Sequence, residues 1–314
     1  MRALVTGAAG FIGSNLAGRL LDDGHEVHGV DAFTPYYAPA DKRSNLEPLL
    51  ARESFSFDEL DLREADLGRQ VDVDVVFHLA AQPGVRTSWG AGFDDYVGHN
   101  VLATQRLLEA CRAADPSPRV VMSSSSSVYG EAERHPTPED VTPRPVSPYG
   151  VTKLAAESLL TAYAANFGVS SVALRYFTVY GPGQRPDMAF HRFISAALQD
   201  EPIEVFGDGE QTRDVTFVDD AVDATIAAAT ADGAASPVNV GGGSQIALNE
   251  VLEAIERLTG RELQVERRDA APGDVRHTSA DLSRARDELG YAPRVGLEEG
   301  LRREIDWLRG RLEG

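Results

Sequence analysis

The opening residues constrain this chain most. A short apolar run, Ala3-Leu4-Val5-Thr6, passes directly into Gly7-Ala8-Ala9-Gly10-Phe11-Ile12-Gly13 and then into an amphipathic stretch over 11–22. One glycine permits a tight strand-to-helix turn, and a second lets backbone approach a pyrophosphate. A third lets helix and strand pack, so that the helix N-terminus faces the phosphates. The spacing is G-x-x-G-x-x-G rather than G-x-G-x-x-G, and alone it describes a plain turn equally well. The next apolar run, however, closes on Asp31, where a ribose-binding carboxylate is expected. Strand, turn, helix and acid together predict a dinucleotide site made by Gly7, Gly10, Phe11, Ile12, Gly13 and Asp31. A carboxylate there repels a 2′-phosphate, so NAD is expected over NADP. Arg43 and Lys42 leave NADP open, and Lys42 is itself a candidate cofactor contact.

The alternation continues downstream. Apolar runs at 26–30, 73–79, 119–123 and 171–177 are separated by amphipathic stretches, among them 94–114 and 149–166. Strands alternating with helices predict an α/β fold with a doubly wound parallel sheet, and uniformly apolar strands fit burial on both faces. After about residue 180, Gly, Pro and Asp become frequent and the regular elements shorten, which predicts a smaller mixed α/β lobe. The expected division is a dinucleotide-binding domain over 1–178, return segments near 214–242, and a substrate lobe over 179–314. There is no internal repeat, and the only low-complexity tract is Ser123 to Ser127.

Composition excludes several classes. A formal net charge of −19 argues against sequence-independent nucleic-acid binding, which needs surplus Lys and Arg. No apolar run approaches the roughly 20 residues of a membrane span. The single cysteine, Cys111, excludes an internal disulfide and a cysteine-caged zinc. The first residues do not read as a secretory signal, so a soluble cytoplasmic protein is expected. With 28 Arg and two Lys, Lys42 and Lys153, a remaining lysine marks a place where a compact point charge is needed.

Lys153 lies four residues after Tyr149 in Ser147-Pro148-Tyr149-Gly150-Val151-Thr152-Lys153, which reads as a helix start capped by Ser147. Spacing of i, i+4 places both on one face. A tyrosine is a poor base at neutral pH, and a nearby cation favours its phenolate. Tyr149 is therefore the candidate acid/base, able to take a hydroxyl proton as hydride leaves the same carbon. The serines at the end of the fifth strand fall where an open α/β sheet places its ligand crevice, and one of them could hold the reacting oxygen. Asp61-Leu62, following a third strand expected between the runs at 26–30 and 73–79, could meet the adenine edge. His78-Leu79-Ala80-Ala81 ends the fourth strand with residues small enough for a cofactor to lie close, making Leu79, Ala80 and Ala81 candidate contacts.

In this order, Gly7, Gly10, Gly13, Tyr149 and Lys153 resemble the extended short-chain dehydrogenase/reductase superfamily, and within it the nucleotide-sugar epimerases and dehydratases. The similarity runs through HLAAQ, SSSSVYG, RYFTVYGPGQRPDM, VFGDGEQTRD, FVDDAVDA and PGDV, essentially the whole chain. It implies NAD held throughout the cycle and a lobe gripping a nucleoside diphosphate. It also implies a Ser125–Tyr149–Lys153 triad, Tyr176 beside the nicotinamide, and Arg213 and Arg276 on the diphosphate. Ser126, Ser127, Thr178, Phe206 and Gln211 become candidate substrate contacts. The residues after PGDV depart from the usual pattern at Arg276.

Similar dehydratases carry Asp-Glu just before Val-Tyr-Gly, and similar decarboxylases a Glu at the place of Ser127. Ser126 and Ser127 stand there instead, which points to an epimerase. Gly181 to Met188 resembles the segment in UDP-glucuronate 4-epimerases where an arginine at the place of Arg185 meets the sugar carboxylate. The expected activity is NAD-dependent 4-epimerisation of a UDP-sugar, foremost UDP-glucuronate to UDP-galacturonate. UDP-glucose/UDP-galactose 4-epimerisation and an NAD(P)-dependent reductase are the enzyme alternatives, and an NAD-sensing scaffold the non-catalytic one. The resemblance also implies a homodimer through 94–114 and 149–166.

Overall fold

Strands β1 (Arg2–Thr6), β2 (Glu26–Asp31), β3 (Phe55–Glu59), β4 (Val75–His78), β5 (Arg119–Ser125) and β6 (Ser171–Tyr176) come first. They are followed by β7 (Val179–Tyr180), β8 (Ile203–Phe206), β9 (Thr212–Asp214), β10 (Thr216–Phe217), β11 (Val238–Val240), β12 (Gln245–Ala247) and β13 (Val265–Arg268). The computed structural model describes residues 1–231, 236–269 and 273–313, so Pro272 of the PGDV motif lies outside the described residues. Seven strands form one parallel sheet in the order β11-β6-β5-β4-β1-β2-β3. The chain builds outward from β1 through β2 to β3, then crosses back to β4 on the other side. The crevice at the C-terminal ends of β1 and β4 is therefore the topological switch point, where open α/β sheets bind ligands.

Side chains alternate across each strand, so both sheet faces are apolar. One face presents Val5, Val27, Phe77, Val121 and Leu174 to Leu16 and Leu20 of α1 (Phe11–Asp22). Helix α2 (Pro39–Leu50) lies beside α1. The other face presents Leu4, Val76, Val120 and Met122. Covering it are α4 (Ala103–Ala113) and α5 (Pro148–Phe167), with α3 (Phe93–Tyr96) packed against α5. Cys111 is buried there and free. In the second half come α6 (Ala189–Gln199), α7 (Val218–Thr230), α8 (Leu248–Thr259), α9 (Ser283–Leu289) and α10 (Leu297–Glu313). Helices α6, α8 and α10 pack together on Phe193, Ile194, Ile255, Leu301 and Ile305. Helix α7 returns to pack on α1, and β11 joins the main sheet beside β6.

The continuous helix expected over 94–114 is interrupted. Between α3 and α4, Val97–Leu102 form a π-helical turn. Such a turn carries one extra residue and commonly serves a local purpose. Here it turns Asn100 inward, where Oδ1 accepts from Gln82 N (2.7 Å) and Nδ2 donates to Gln82 O (3.1 Å) and Thr152 Oγ1 (3.0 Å). The loop after β4 is thus tied to α5 between Tyr149 and Lys153. Apolar periodicity cannot reveal this, because the anchor is a polar residue with partners far away in sequence.

Candidate active site

A cavity of about 330 Å³ runs along the switch-point crevice. At one end stands the turn after β1. Gly7 has φ +72°, and a Cβ there would meet Ala80 N at 2.9 Å; a Cβ on Gly13 would meet Gly7 O at 2.0 Å. The turn is held by Gly7 N donating to Val30 O (2.8 Å) and Gly10 N donating to Gly7 O (3.0 Å). Thr6 Oγ1 accepts from Leu79 N and Ala80 N, both at 3.1 Å, which draws the end of β4 against the turn. His78 Nδ1 lies 2.9 Å from Thr6 Oγ1, and Nε2 lies 3.0 Å from Thr104 Oγ1. Burial pushes His78 down to about 3, so the ring is neutral and its role here is to join strands to α4.

Asp31 ends β2 and accepts from Phe33 N at 2.8 Å. Lys42 Nζ lies 3.5 Å from Asp31 Oδ1 and donates to Thr34 Oγ1 at 3.3 Å. Asp61 lines the cavity with both oxygens taken by Arg63, whose hydrogen bonds hold the carboxyl below its usual range. Phe11, Ile12, Leu62, Leu79, Ala80 and Ala81 line the same wall.

At the other end, Ser147 caps α5 by accepting from Gly150 N at 3.1 Å, and Pro148 fills the first helical position. That cap fixes where the helix starts, and so where Tyr149 points. The ring lies edge-on to Tyr96 at 6.2 Å, and the Tyr96 hydroxyl donates to Pro83 O at 2.7 Å. Burial raises the Tyr149 hydroxyl, while a hydrogen bond with Ser125 and the Arg185 cation lower it. Ser125 Oγ donates to Ser127 Oγ and accepts from Ser127 N, both at 3.1 Å.

Lys153 shares the Tyr149 face, but its ammonium donates to Ser123 O at 2.9 Å. In this arrangement Arg185 is a cation that lowers the Tyr149 hydroxyl. Burial pushes Lys153 down to about 8, with Glu157 the group that opposes this. Glu157 is itself clamped by Arg175, at 2.7 and 3.0 Å, and by Ser124. The consequence can be measured. Since the folded chain gives up this proton near pH 8 and the unfolded chain near 10.5, stability from this residue rises with pH across that window. The melting temperature of cofactor-stripped wild type should gain on that of Lys153→Met between those limits. A constant difference would show the lysine titrating normally.

Ser126, Ser127, Thr178 and Arg185 line this cavity with the triad residues, whereas Phe206, Gln211, Arg213 and Arg276 do not. Those four form a separate group on β8, β9 and the segment after Gly273. Gln211 Nε2 donates to Phe206 O (2.8 Å), and Arg213 Nη1 donates to Thr212 O (2.9 Å) and Arg276 O (3.3 Å). Arg276 is exposed, and both its Nη groups donate to Asp208 at 2.9 Å. Arg86, which spacing did not single out, lies 4.2 Å above the Phe206 ring and donates to Asp274 at 2.8 Å. Tyr176 lines the cavity, with its hydroxyl 2.6 Å from Thr225 Oγ1. Also unforeseen are Thr34, Tyr36, Tyr37, Pro83, His99 and Met188 in the cavity wall. The aromatic pair in Thr34-Pro35-Tyr36-Tyr37 was the one visible signal.

A parallel sheet with a glycine turn at its switch point and a Tyr–Lys pair facing it defines a dinucleotide-dependent enzyme of the short-chain dehydrogenase/reductase type. Residues 3–241 match the NAD dependent epimerase/dehydratase family, and the chain belongs to it. It is 45% identical, over its whole length and that of the relative, to an uncharacterized UDP-glucose epimerase of Bacillus subtilis. It is 37% identical to the UDP-glucuronate 4-epimerase of Thermodesulfobacterium geofontis, covering 99% of this chain and 97% of that one. Among solved structures, UDP-glucuronic acid 4-epimerase from Bacillus cereus, in complex with UDP-glucuronic acid and NAD, superposes with a TM-score of 0.95. The two are 44% identical over 99% of this chain and 100% of that one.

Proposed function

We propose that this chain is an NAD-dependent UDP-sugar 4-epimerase that interconverts UDP-glucuronate and UDP-galacturonate. The observation carrying this reading is that Arg185 stands in one cavity with Tyr149 and Ser125; the resemblance that sets Ser126 and Ser127 where similar dehydratases and decarboxylases carry acids agrees with it. The full-length similarity to UDP-glucuronate 4-epimerases supports it.

The residues fit NAD: a Cβ at Gly7 or Gly13 would strike backbone, and Asp31 sits where a ribose would meet it. Gly7, Gly10, Phe11, Ile12 and Gly13 would hold the diphosphate. Asp31, with Lys42, would hold one ribose and Lys153 the other; Leu62 and Asp61 would flank the adenine, and Tyr176 the nicotinamide. When bound, NAD supplies the hydride acceptor and, in the return direction, the donor. Tyr149 takes the 4-hydroxyl proton, Ser125 holds the reacting oxygen, and Lys153 favours the phenolate. The 4-keto sugar turns about its phosphate linkage so that its opposite face would meet the returning hydride, and Tyr149 returns the proton to the C4 oxygen. Phe206, Gln211, Arg213 and Arg276, in the lobe assigned to 179–314, would grip the nucleoside diphosphate, with 1–178 and the return segments near 214–242 forming the dinucleotide domain.

A 4-keto uronate is a β-keto acid and loses carbon dioxide when the carboxylate bond aligns with the ketone π system. Arg185, Ser126, Ser127 and Thr178 would hold the carboxylate out of that alignment. Replacing Arg185 by Ala should raise KM for UDP-glucuronate about tenfold or more, or release UDP-pentose. Unchanged kinetics would remove Arg185 from this role. The primary test is incubation without added NAD with UDP-glucuronate, UDP-glucose and UDP-xylose separately, products read by NMR. Epimerised uronate is expected; turnover of UDP-glucose alone would favour UDP-glucose 4-epimerisation, the reading suggested by the Bacillus subtilis relative's name.

The protein would work in the cytoplasm as a homodimer. Among the described residues no helix is long and apolar enough to cross a membrane. Phe93 on α3, Val97 and Leu102 on the π turn, and Val151 on α5 are between 37% and 48% exposed, an apolar face suited to a second copy. Light scattering should give twice the chain mass for wild type, and the chain mass for a Val97→Glu, Leu102→Glu double variant. A monomeric wild type would refute the dimer.

A further inference from the structure

Arg185 does not face the cavity as a free cation. Its Nε and Nη2 donate to Oδ1 and Oδ2 of Asp187 at 2.9 and 3.0 Å, a bidentate pair. The Tyr36 hydroxyl, 3.2 Å from Thr87 Oγ1, reaches Asp187 Oδ2 at 3.5 Å from the other side. A guanidinium has two edges with parallel donors, Nε with Nη2 and Nη1 with Nη2. Asp187 occupies the first, and Nη1 makes no hydrogen bond among the described residues. Arg185 lines the cavity and Asp187 does not. Side-chain exposure is 18% for the arginine and 34% for the aspartate, so the pair is partly shielded from water.

We infer that Asp187 is a specificity-determining residue that narrows the preference for an acidic over a neutral sugar at this site. The pair presents a directional edge with almost no net charge. A uronate carboxylate gains two charge-assisted hydrogen bonds from that edge but is repelled by the carboxylate on the far side of the guanidinium. A neutral hydroxymethyl group accepts a hydrogen bond there without meeting that repulsion. Asp187 also aligns the guanidinium, so it sets orientation and attraction together, with the charge deciding the discrimination.

The inference rests on the reading that this pocket takes a uronate, and it is tested by binding rather than turnover. UDP-glucuronate and UDP-glucose are titrated calorimetrically into NAD-loaded protein carrying Tyr149→Phe, which prevents reaction. The titration is repeated with Asp187→Asn and with Asp187→Ser added. The ratio of the two dissociation constants normalises general damage to the fold, and the serine variant decides if the asparagine one is not recovered. Removing the charge should shift the ratio about tenfold toward UDP-glucuronate. A ratio that stays the same or moves toward UDP-glucose overturns the inference. The functional reading fails separately, through wild-type protein that leaves C4 of UDP-glucuronate unchanged.

Discussion

Tyr149→Phe should lower turnover by about 10³-fold while leaving bound NAD and UDP-sugar affinity close to wild type. The substitution removes one oxygen and keeps the ring, so the edge contact with Tyr96 and the start of α5 are undisturbed. What goes is the proton acceptor. Water cannot replace it readily, because the group sits among Ser125, Arg185 and the walls of a narrow crevice. Burial raises this hydroxyl, so at neutral pH it begins as a phenol and depends on surrounding cations to become a base. Rates measured by NMR, with cofactor content read from absorbance, separate loss of chemistry from loss of binding. A phenylalanine variant at full rate would remove Tyr149 from the proton path, and the mechanism with it.

Gly13→Ala should be nearly as damaging by a different route. The added methyl would lie 2.0 Å from Gly7 O and 2.8 Å from Gly7 C, both backbone atoms of the turn that would cradle the diphosphate. No flexible side chain can yield there, so the β1–α1 turn must open. The expected result is loss of bound NAD and a stability cost of about 3 kcal/mol, the upper range of core overpacking. The same substitution at Gly310, in α10 with nothing within 4 Å of the new methyl, should instead stabilise by roughly 0.5–1 kcal/mol. Thermal denaturation of both variants beside an assay of bound cofactor tests the contrast. Retained NAD in Gly13→Ala would show that the turn tolerates a side chain.

Local signals carried far along this chain. The limits of α1 follow from its apolar spacing, and those of α5 from the Ser147 cap, Pro148 and the left-handed Gly168 that ends it. Strands β1, β4 and β6 read as apolar runs because they are buried on both faces, whereas the edge strand β3, largely exposed, gave no such run. The π turn was invisible, since helix periodicity assumes regular spacing and Asn100 breaks it to reach Gln82 and Thr152. Arg276 illustrates a different limit. Similarity named it for a diphosphate, and no local pattern disclosed its pairing with Asp208, a residue 68 positions away. Lys153 is a third case: its spacing from Tyr149 was legible, but its partner, the Ser123 carbonyl, comes from a strand end that packing brings under the helix.

By itself, the sequence determined the strand–turn–helix opening, the Tyr149–Lys153 spacing, the serine run and the alternation that makes a parallel sheet. These depend on residues close together in the chain, where geometry follows from backbone sterics, capping and periodicity. Only tertiary structure decided that Tyr36 meets Thr87 and Asp187, that Arg86 pairs with Asp274, and that Arg185 faces the cavity with Tyr149. The longest of those contacts joins residues 188 positions apart. Such contacts form because sheet order and lobe packing bring distant loops to one crevice, and no local pattern encodes which loops will meet.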